Sequence, residues 1–118
     1  MSSITIYHNP QCTTSKKVLH ILEQQSISFN IIDYIKNPLN FSQLKILFSK
    51  LNINAIDLVR KTSPLYKKFN KHNYPNDKIL FELSNNPSYI ERPILLKDNV
   101  GIIVRPYDKI YNFLDISR

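Results

Sequence analysis

Residues 4–15 of the chain read ITIYHNPQCTTS, and this stretch decides the fold. Ile4–Tyr7 alternates side chains in a pattern that favours extended backbone, which predicts a first strand. A helical pattern of apolar residues runs from Thr13 to Gln25, and Phe29–Tyr34 has the character of a second strand. A strand, a helix and a strand within about thirty residues form a βαβ unit, so the two strands are expected to be parallel.

The rest of the chain predicts a helical insert followed by a second sheet unit. Apolar residues recur at helical spacing over about residues 40–86, and Asn76 or Asp77 is expected to cap the last of these helices. Ile94–Leu96 and Gly101–Val104 are predicted strands, and the short turn between them makes them an antiparallel hairpin. A final amphipathic helix follows. The order βαβ, helical insert, ββα predicts an α/β, thioredoxin-like fold with a mixed four-stranded sheet.

The composition excludes several classes of protein. A length of 118 residues fits a single domain spanning residues 1–118. Gly101 is the only glycine, so neither a Walker loop nor a dinucleotide-binding glycine fingerprint can be present. A single cysteine excludes an internal disulfide and a thiolate-rich zinc site, and we expect no bound metal or other bound cofactor. Apolar runs fall short of the roughly 20 residues of a membrane span and the start carries no secretory signal, so a cytoplasmic protein is expected.

The charge of the chain favours small anions as ligands. Sixteen Lys and Arg against nine Asp and Glu give a formal charge of +7. The lysines are scattered, and abundant Lys, Asn and Ile with scarce Gly are typical of an AT-rich genome. We therefore do not expect nucleic acid as the main partner. An excess of base over acid still attracts small oxyanions.

Cys12 is the first candidate for chemistry, because it falls in the turn between the first strand and the first helix. Free backbone N–H groups and the helix dipole stabilise a thiolate there, and can lower a cysteine pKa from about 8.5 to between roughly 3.5 and 7.5. His8 can add positive charge when it is protonated, and Ser15 can donate a hydrogen bond to the sulfur. The alternative is a small buried cysteine without a function.

The arginines supply a second signal, since there are only four. Arg92 and Arg105 each precede a proline and flank the predicted hairpin, so they should lie at the same end of the sheet. Arg60 lies late in the helical insert, whereas Arg118 is terminal and is assigned no role. Three guanidinium groups around one thiolate would hold a tetrahedral oxyanion through paired N–H donors. The alternative is three solvated surface charges, and the isomer of the Arg92–Pro93 bond is left open.

Four stretches appear together in an order and spacing that resemble one family. They are ITIYHNPQCTTS at 4–15, LVRK at 58–61, ERPI at 91–94 and VRP at 104–106. This set resembles the ArsC family of glutaredoxin-coupled arsenate reductases and covers nearly the whole chain. Because the chain stops soon after its last predicted helix, it is similar to the short YfgD-like subgroup.

The resemblance implies an enzyme that reduces arsenate to arsenite. Cys12 would be the nucleophile that forms a covalent thiol–arsenate adduct. His8 and Ser15 match the positions that would help to hold the cysteine as a thiolate. Glutathione would be the co-substrate and glutaredoxin the protein partner, because members of the family lack a second cysteine to resolve the adduct. The residues implied to bind and polarise the oxyanion are Arg60, Arg92 and Arg105.

Two other functions stay open. A regulator like the Spx proteins would share the fold and bind RNA polymerase. Such proteins usually carry a Cys-X-X-Cys switch, whereas this chain has Ser15 at the second position. They also generally lack the arginine that stands here as Arg105, which favours the enzyme. A related thiol oxidoreductase acting on a different substrate is the third possibility.

Overall fold

The computed structural model describes residues 3–118 and contains one four-stranded sheet. The strands lie in the order β2-β1-β3-β4, with β1 parallel to β2 and antiparallel to β3, and β3 antiparallel to β4. This arrangement confirms the mixed sheet of a thioredoxin-like α/β fold. The strand bounds are β1 Ile4–His8, β2 Asn30–Asp33, β3 Ile94–Lys97 and β4 Val100–Ile103.

Five helices accompany the sheet, and three of them lie in the chain between β2 and β3. The first helix, α1, follows β1 directly, and the last, α5, follows β4. Two short 3₁₀ turns, Ala55–Leu58 and Pro87–Tyr89, interrupt the helical insert. The helix bounds are α1 Thr13–Gln24, α2 Phe41–Ser49, α3 Pro64–Phe69, α4 Asn76–Ser84 and α5 Lys109–Leu114.

The sheet separates two apolar cores. Because side chains alternate along a strand, Ile6 of β1 and Leu95 of β3 pack with α1 and α5 on one face. Ile94 and Leu96 of β3 face the other side, where they pack with the buried side chains of the helical insert. The apolar residues of β3 are therefore buried on both faces, which explains the continuous run of ILL in its sequence.

The end of the insert is attached to the chain that leads into β3. Val59 pairs with Ile90 in an isolated antiparallel bridge. On either side of it, the Arg60 N–H donates to the Tyr89 carbonyl at 2.8 Å and the Glu91 N–H donates to the Leu58 carbonyl at 2.7 Å. Periodicity predicts a helical segment from Ala55 to Lys61, but only the 3₁₀ turn Ala55–Leu58 forms, because Val59 is extended and pairs with Ile90.

The prediction that Asn76 or Asp77 caps α4 is wrong. Pro75 occupies the cap position, and Asn76 is the first residue of the helix. The Asn76 side-chain oxygen instead accepts a hydrogen bond from the Ala55 N–H at 3.1 Å. A long-range contact has therefore taken the side chain that local preference assigns to the cap.

Gly101 packs where no side chain fits. A Cβ atom at this position would lie 2.8 Å from Cδ2 of Leu51 and 3.2 Å from the Leu95 carbonyl oxygen. The Gly101 N–H also donates to the Lys50 carbonyl at 2.9 Å, so the end of α2 lies directly against β4.

Within residues 3–118, no helix is long and apolar enough to cross a membrane.

Candidate active site

The site residues predicted from the sequence lie towards one end of the sheet. The register pairs Tyr7 near the end of β1 with Ile94 at the start of β3, and Ile94 with Ile103 at the end of β4. Arg92 therefore precedes β3, and Arg105 follows β4, at the end of the sheet where the chain leaves β1 for Cys12. The peptide bonds Arg92–Pro93 and Arg105–Pro106 are both cis.

Cys12 caps the N-terminus of α1 with extended backbone. Its N–H donates to the Asn9 carbonyl at 3.0 Å, and the Asn9 side-chain oxygen accepts from the Gln11 N–H at 2.9 Å. These bonds close a tight turn that leaves the side chain of Cys12 half-buried. The sulfur is thus neither walled off nor free in solvent.

The environment of Cys12 favours its thiolate. Burial of the thiol raises its pKa, but four nearby donors outweigh burial and bring the pKa below its ordinary value. In order of effect, they are the backbone amide of Ser15, the guanidinium groups of Arg92 and Arg105, and the backbone amide of Thr14. The expected effect of the helix N-terminus is therefore present as two backbone amides.

Arg105 is the arginine whose contact with the sulfur is direct. Its Nη1 lies 3.7 Å from Cys12 Sγ and donates to the Arg92 carbonyl at 3.1 Å. Its Nε lies 3.6 Å from Oε1 of Glu91, which is mostly buried, while the Arg105 side chain is 40% exposed. The guanidinium is therefore held between an anionic carboxylate and the thiolate, and part of it still faces solvent.

Arg92 is held much more rigidly. It is only 5% exposed, and its Nη1 donates to the carbonyls of Ser88 at 2.9 Å and Ile90 at 3.2 Å. Its Nε is buried without a hydrogen-bond partner. A buried cation with a free N–H is costly unless a ligand satisfies it, so this group is suited to an anion.

Arg60 does not reach Cys12 among the described residues, but it shares a cleft with Arg105. The cleft has a volume of about 640 Å³ and is lined by both arginines. The backbone pairing of Val59 with Ile90 fixes the position of Arg60 relative to Arg92. Two of the three predicted arginines thus lie at the sulfur, and the third lies across the adjoining cleft.

His8 and Ser15 form one buried unit beneath the turn. Nδ1 of His8 lies 2.6 Å from Oγ of Ser15, and the same Oγ accepts from the Asn9 N–H at 3.1 Å. No hydrogen bond joins the Ser15 hydroxyl to the sulfur in the part of the chain described, so the predicted hydroxyl donor is replaced by the Ser15 backbone amide.

The histidine also differs from the sequence expectation. Burial lowers the pKa of His8, Asp33 raises it, and Lys16 lowers it again, and the net shift is downward. The imidazole is therefore neutral at pH 7 rather than a source of positive charge. A neutral ring suits its short contact with the Ser15 hydroxyl.

Three residues of the site were missed by sequence reasoning. Asn9 closes the turn, and Glu91 faces Arg105. Tyr34 is 1% exposed, and its buried hydroxyl has no hydrogen-bond partner within residues 3–118. Burial raises the Tyr34 pKa, and the charges of Arg92 and Cys12 also act on it. The parallel pairing of β1 with β2 was the available signal, because it places Tyr34 beside Asn9.

Within residues 3–118 there is no group of three or more His, Cys, Asp or Glu side chains that could hold a metal ion. The donors of the site are instead N–H groups, from two guanidiniums and two backbone amides around one sulfur. The fold and the site therefore define a thioredoxin-like protein with a cysteine of lowered pKa beside two guanidinium groups, a donor set suited to anions.

Comparison with known proteins identifies the family. Residues 7–113 match the model of the ArsC family, so the chain belongs to the ArsC family. It is 34% identical over 113 residues to a protein from Neisseria meningitidis named arsenate reductase, covering 93% of this chain and 97% of that protein. It is also 28% identical to the Escherichia coli protein YfgD, covering 91% of this chain and 92% of YfgD.

A solved structure agrees with the sequence comparison. The structure described as arsenate reductase from Vibrio cholerae matches with a TM-score of 0.84 and 30% sequence identity. The match covers 94% of this chain and 97% of that one. The recognised family and the fold are therefore both confirmed.

Proposed function

We propose that this protein is an arsenate reductase in which Cys12 is the nucleophile. The observation that carries the proposal is the 3.7 Å contact between Arg105 Nη1 and Cys12 Sγ at the start of α1. It joins a thiol of lowered pKa to a cation that can bind the oxygens of the substrate. The names of the relatives from Neisseria meningitidis and Vibrio cholerae support arsenate as the substrate.

In the first step, the Cys12 thiolate attacks arsenic and one arsenate oxygen leaves as water. The product is a thiol–arsenate adduct in which arsenic stays pentavalent. Arg92 and Arg105 stabilise the negative charge on the oxygens around the sulfur, since both already lower the pKa of the thiol. Arg60 binds the oxyanion from the side of the cleft as it arrives.

His8 and Ser15 support the thiolate indirectly. The hydrogen bonds of the Ser15 hydroxyl to the Asn9 N–H and the His8 ring hold the first turn of α1 against the end of β1. This fixes the backbone amide of Ser15 toward the sulfur. Both are positioning residues in this proposal.

The reducing thiols come from outside the chain, because Cys12 is its only cysteine. A glutathione thiol condenses with the adduct and expels a second water. A glutaredoxin thiol then attacks the glutathione sulfur, the sulfur–arsenic electron pair stays on arsenic, and a mixed disulfide leaves. Hydrolysis of the bond between Cys12 and trivalent arsenic releases arsenite and restores the thiol. This chemistry places the protein in the cytoplasm, where both reductants are found.

The test is arsenate-dependent oxidation of glutathione in the presence of glutaredoxin. The wild-type protein is expected to turn over, and the Cys12→Ser protein is expected to show no activity above background, because it lacks the nucleophile. Full activity in Cys12→Ser would remove the mechanism. Absence of arsenate turnover in a wild-type protein whose Cys12 is alkylated readily would favour a thiol oxidoreductase of another substrate.

A further inference from the structure

Binding of the small oxyanion by Arg60 and Arg105 would use only part of the cleft beside the active site. Its volume of about 640 Å³ is far larger than one tetrahedral anion needs, and it lies in the range of pockets that hold drug-sized ligands. Its lining includes Ile102 and Ile103 of β4 and also Arg105, whose guanidinium contacts Cys12 Sγ. Its lining residues are Leu51, Ile53, Asp57, Arg60, Lys61, Thr62, Glu91, Ile102, Ile103, Arg105 and Lys109.

We propose that this cleft is the docking site of glutathione, which lies in it as an extended peptide along β4 with its thiol toward the arsenic on Cys12. The inference rests on the function proposed above, because it assigns a place to the co-substrate of that reaction. It assigns the cleft to one occupant, a small peptide thiol that carries two carboxylates and one ammonium group.

The edge of β4 offers backbone groups for such a peptide. The Val104 N–H points inward and donates to the Pro93 carbonyl at 2.9 Å, whereas the Gly101 N–H points outward and donates to the Lys50 carbonyl at 2.9 Å. Since backbone groups alternate along an antiparallel strand, Ile103 has the same outward orientation as Gly101. Its N–H and carbonyl therefore face the cleft, where an extended peptide can pair with them as an added strand.

The charges of the cleft match those of glutathione. Four cations and two carboxylates line it, so the lining attracts an anion while keeping an acceptor for an ammonium group. Lys61 and Lys109 are exposed and make no ion pair within the described residues. They are available for the two carboxylates of the tripeptide, and Asp57 is available for its amine.

The chemistry explains why a cleft is needed at this place. Turnover requires an outside thiol to reach arsenic, because Cys12 is the only cysteine. Arg105 connects the two places, because it lines the cleft and its partly exposed guanidinium contacts the sulfur. Glutathione held along β4 would bring its sulfur to arsenic, and water would leave as the new bond forms.

The test uses S-methylglutathione, which binds without reacting. Backbone amide signals of the ¹⁵N-labelled wild-type protein are followed by NMR during titration, and the same titration is repeated on a Lys61→Glu/Lys109→Glu protein. We expect shifts confined to the cleft, above all at Ile103, and about tenfold weaker binding in the double variant because two favourable charge contacts become repulsive. Lys78→Glu, with a single charge reversal on exposed α4 outside the cleft, is the control and should bind like the wild type.

Steady-state kinetics separate this inference from the function on which it rests. In the double variant, we expect the KM for glutathione to rise about tenfold and to rise more than the KM for arsenate. Shifts outside the cleft, or an unchanged affinity and KM for glutathione in a double variant that still reduces arsenate, would overturn the docking site and leave the reductase intact. Shifts in the cleft in a protein that does not reduce arsenate would support the docking site and reject the reductase.

Discussion

The turn that carries Cys12 and the arginines that face it are built in opposite ways. In the turn, the hydrogen bonds that shape the backbone join residues at most seven positions apart, as between His8 and Ser15. The contact of Arg105 with Cys12, by contrast, joins residues 93 positions apart. The turn and the two backbone amides at the sulfur are therefore formed locally, while the guanidinium groups of Arg92 and Arg105 reach the sulfur only after the sheet has formed. The two halves of the site should therefore respond differently to mutation.

The hardest test of this division is Arg92→Ala. We expect kcat/KM for arsenate to fall by about 10²- to 10³-fold, because a fixed donor at the developing charge is lost. The Cys12 pKa should rise toward its ordinary value of about 8.5, since Arg92 helps to lower it. The pH dependence of alkylation by iodoacetamide measures that pKa.

Two further variants control this experiment. Arg92→Lys keeps the charge but not the fork that reaches two carbonyls, so it should restore the thiol pKa more than the activity. Arg118→Ala, which loses an exposed ion pair with Asp108 and a cation–π contact with Tyr111, should leave both unchanged. If Arg92→Ala folds and keeps wild-type activity, Arg92 does not contribute to catalysis.

Ser15→Ala tests the local half of the site. The change leaves the Asn9 N–H and the His8 ring without their buried partner, so we expect a loss of about 1–3 kcal/mol in the free energy of unfolding. Urea denaturation measures it. Ser42→Ala, at an exposed position of α2, makes the same chemical change and should be nearly neutral. Equal stability of the two variants would show that the turn does not depend on this unit.

The Cys12 thiol also links pH to stability. Its pKa is lower in the folded protein than in the unfolded chain, so the thiolate stabilises the fold above the unfolded-state pKa. This contribution is lost as the pH falls through the folded-state pKa. In Cys12→Ser, urea denaturation should therefore lack this component, and the gap between wild type and variant should widen as the pH rises toward 9.

A smaller effect is expected from Glu91→Gln. The Glu91 carboxylate lies 3.6 Å from Arg105 Nε and competes with an anionic substrate for that guanidinium. Removing its charge should lower the KM for arsenate about two- to fivefold, with little change in kcat. Glu82→Gln removes the more remote ion pair with Lys68 and should not change the KM. A higher KM in Glu91→Gln would mean that the carboxylate positions Arg105 rather than competing for it.

The smallest effect is expected from Tyr34→Phe. The Tyr34 hydroxyl is buried without a partner, so its loss removes a desolvated polar group and leaves the packing in place. We expect the free energy of unfolding to stay the same or to rise by up to about 1 kcal/mol. Tyr66→Phe at a half-buried position is the control. A loss of more than about 1 kcal/mol would reveal a hydrogen bond from the hydroxyl in solution.

Sequence reasoning predicted the local geometry around Cys12. The placement of Cys12 at the start of α1 follows from a strand and a helix that are adjacent in the chain. Arg92 and Arg105 lie at the same end of the sheet because they flank the β3–β4 hairpin. The short turn between the two strands was enough to predict that hairpin. Local reasoning left the protonation of His8 open, because the burial that lowers its pKa is a property of the assembled fold.

The amino-acid sequence alone sufficed for the βαβ and ββα units and for the single cysteine, on which the proposal of an outside thiol rests, since each depends on neighbouring residues or on a count. Only the tertiary structure determined the pairing of the Val59 segment with Ile90, the contact of Glu91 with Arg105 and the cleft along β4. Those features join residues far apart in the chain. Their geometry depends on how both faces of the sheet pack, which no local pattern encodes.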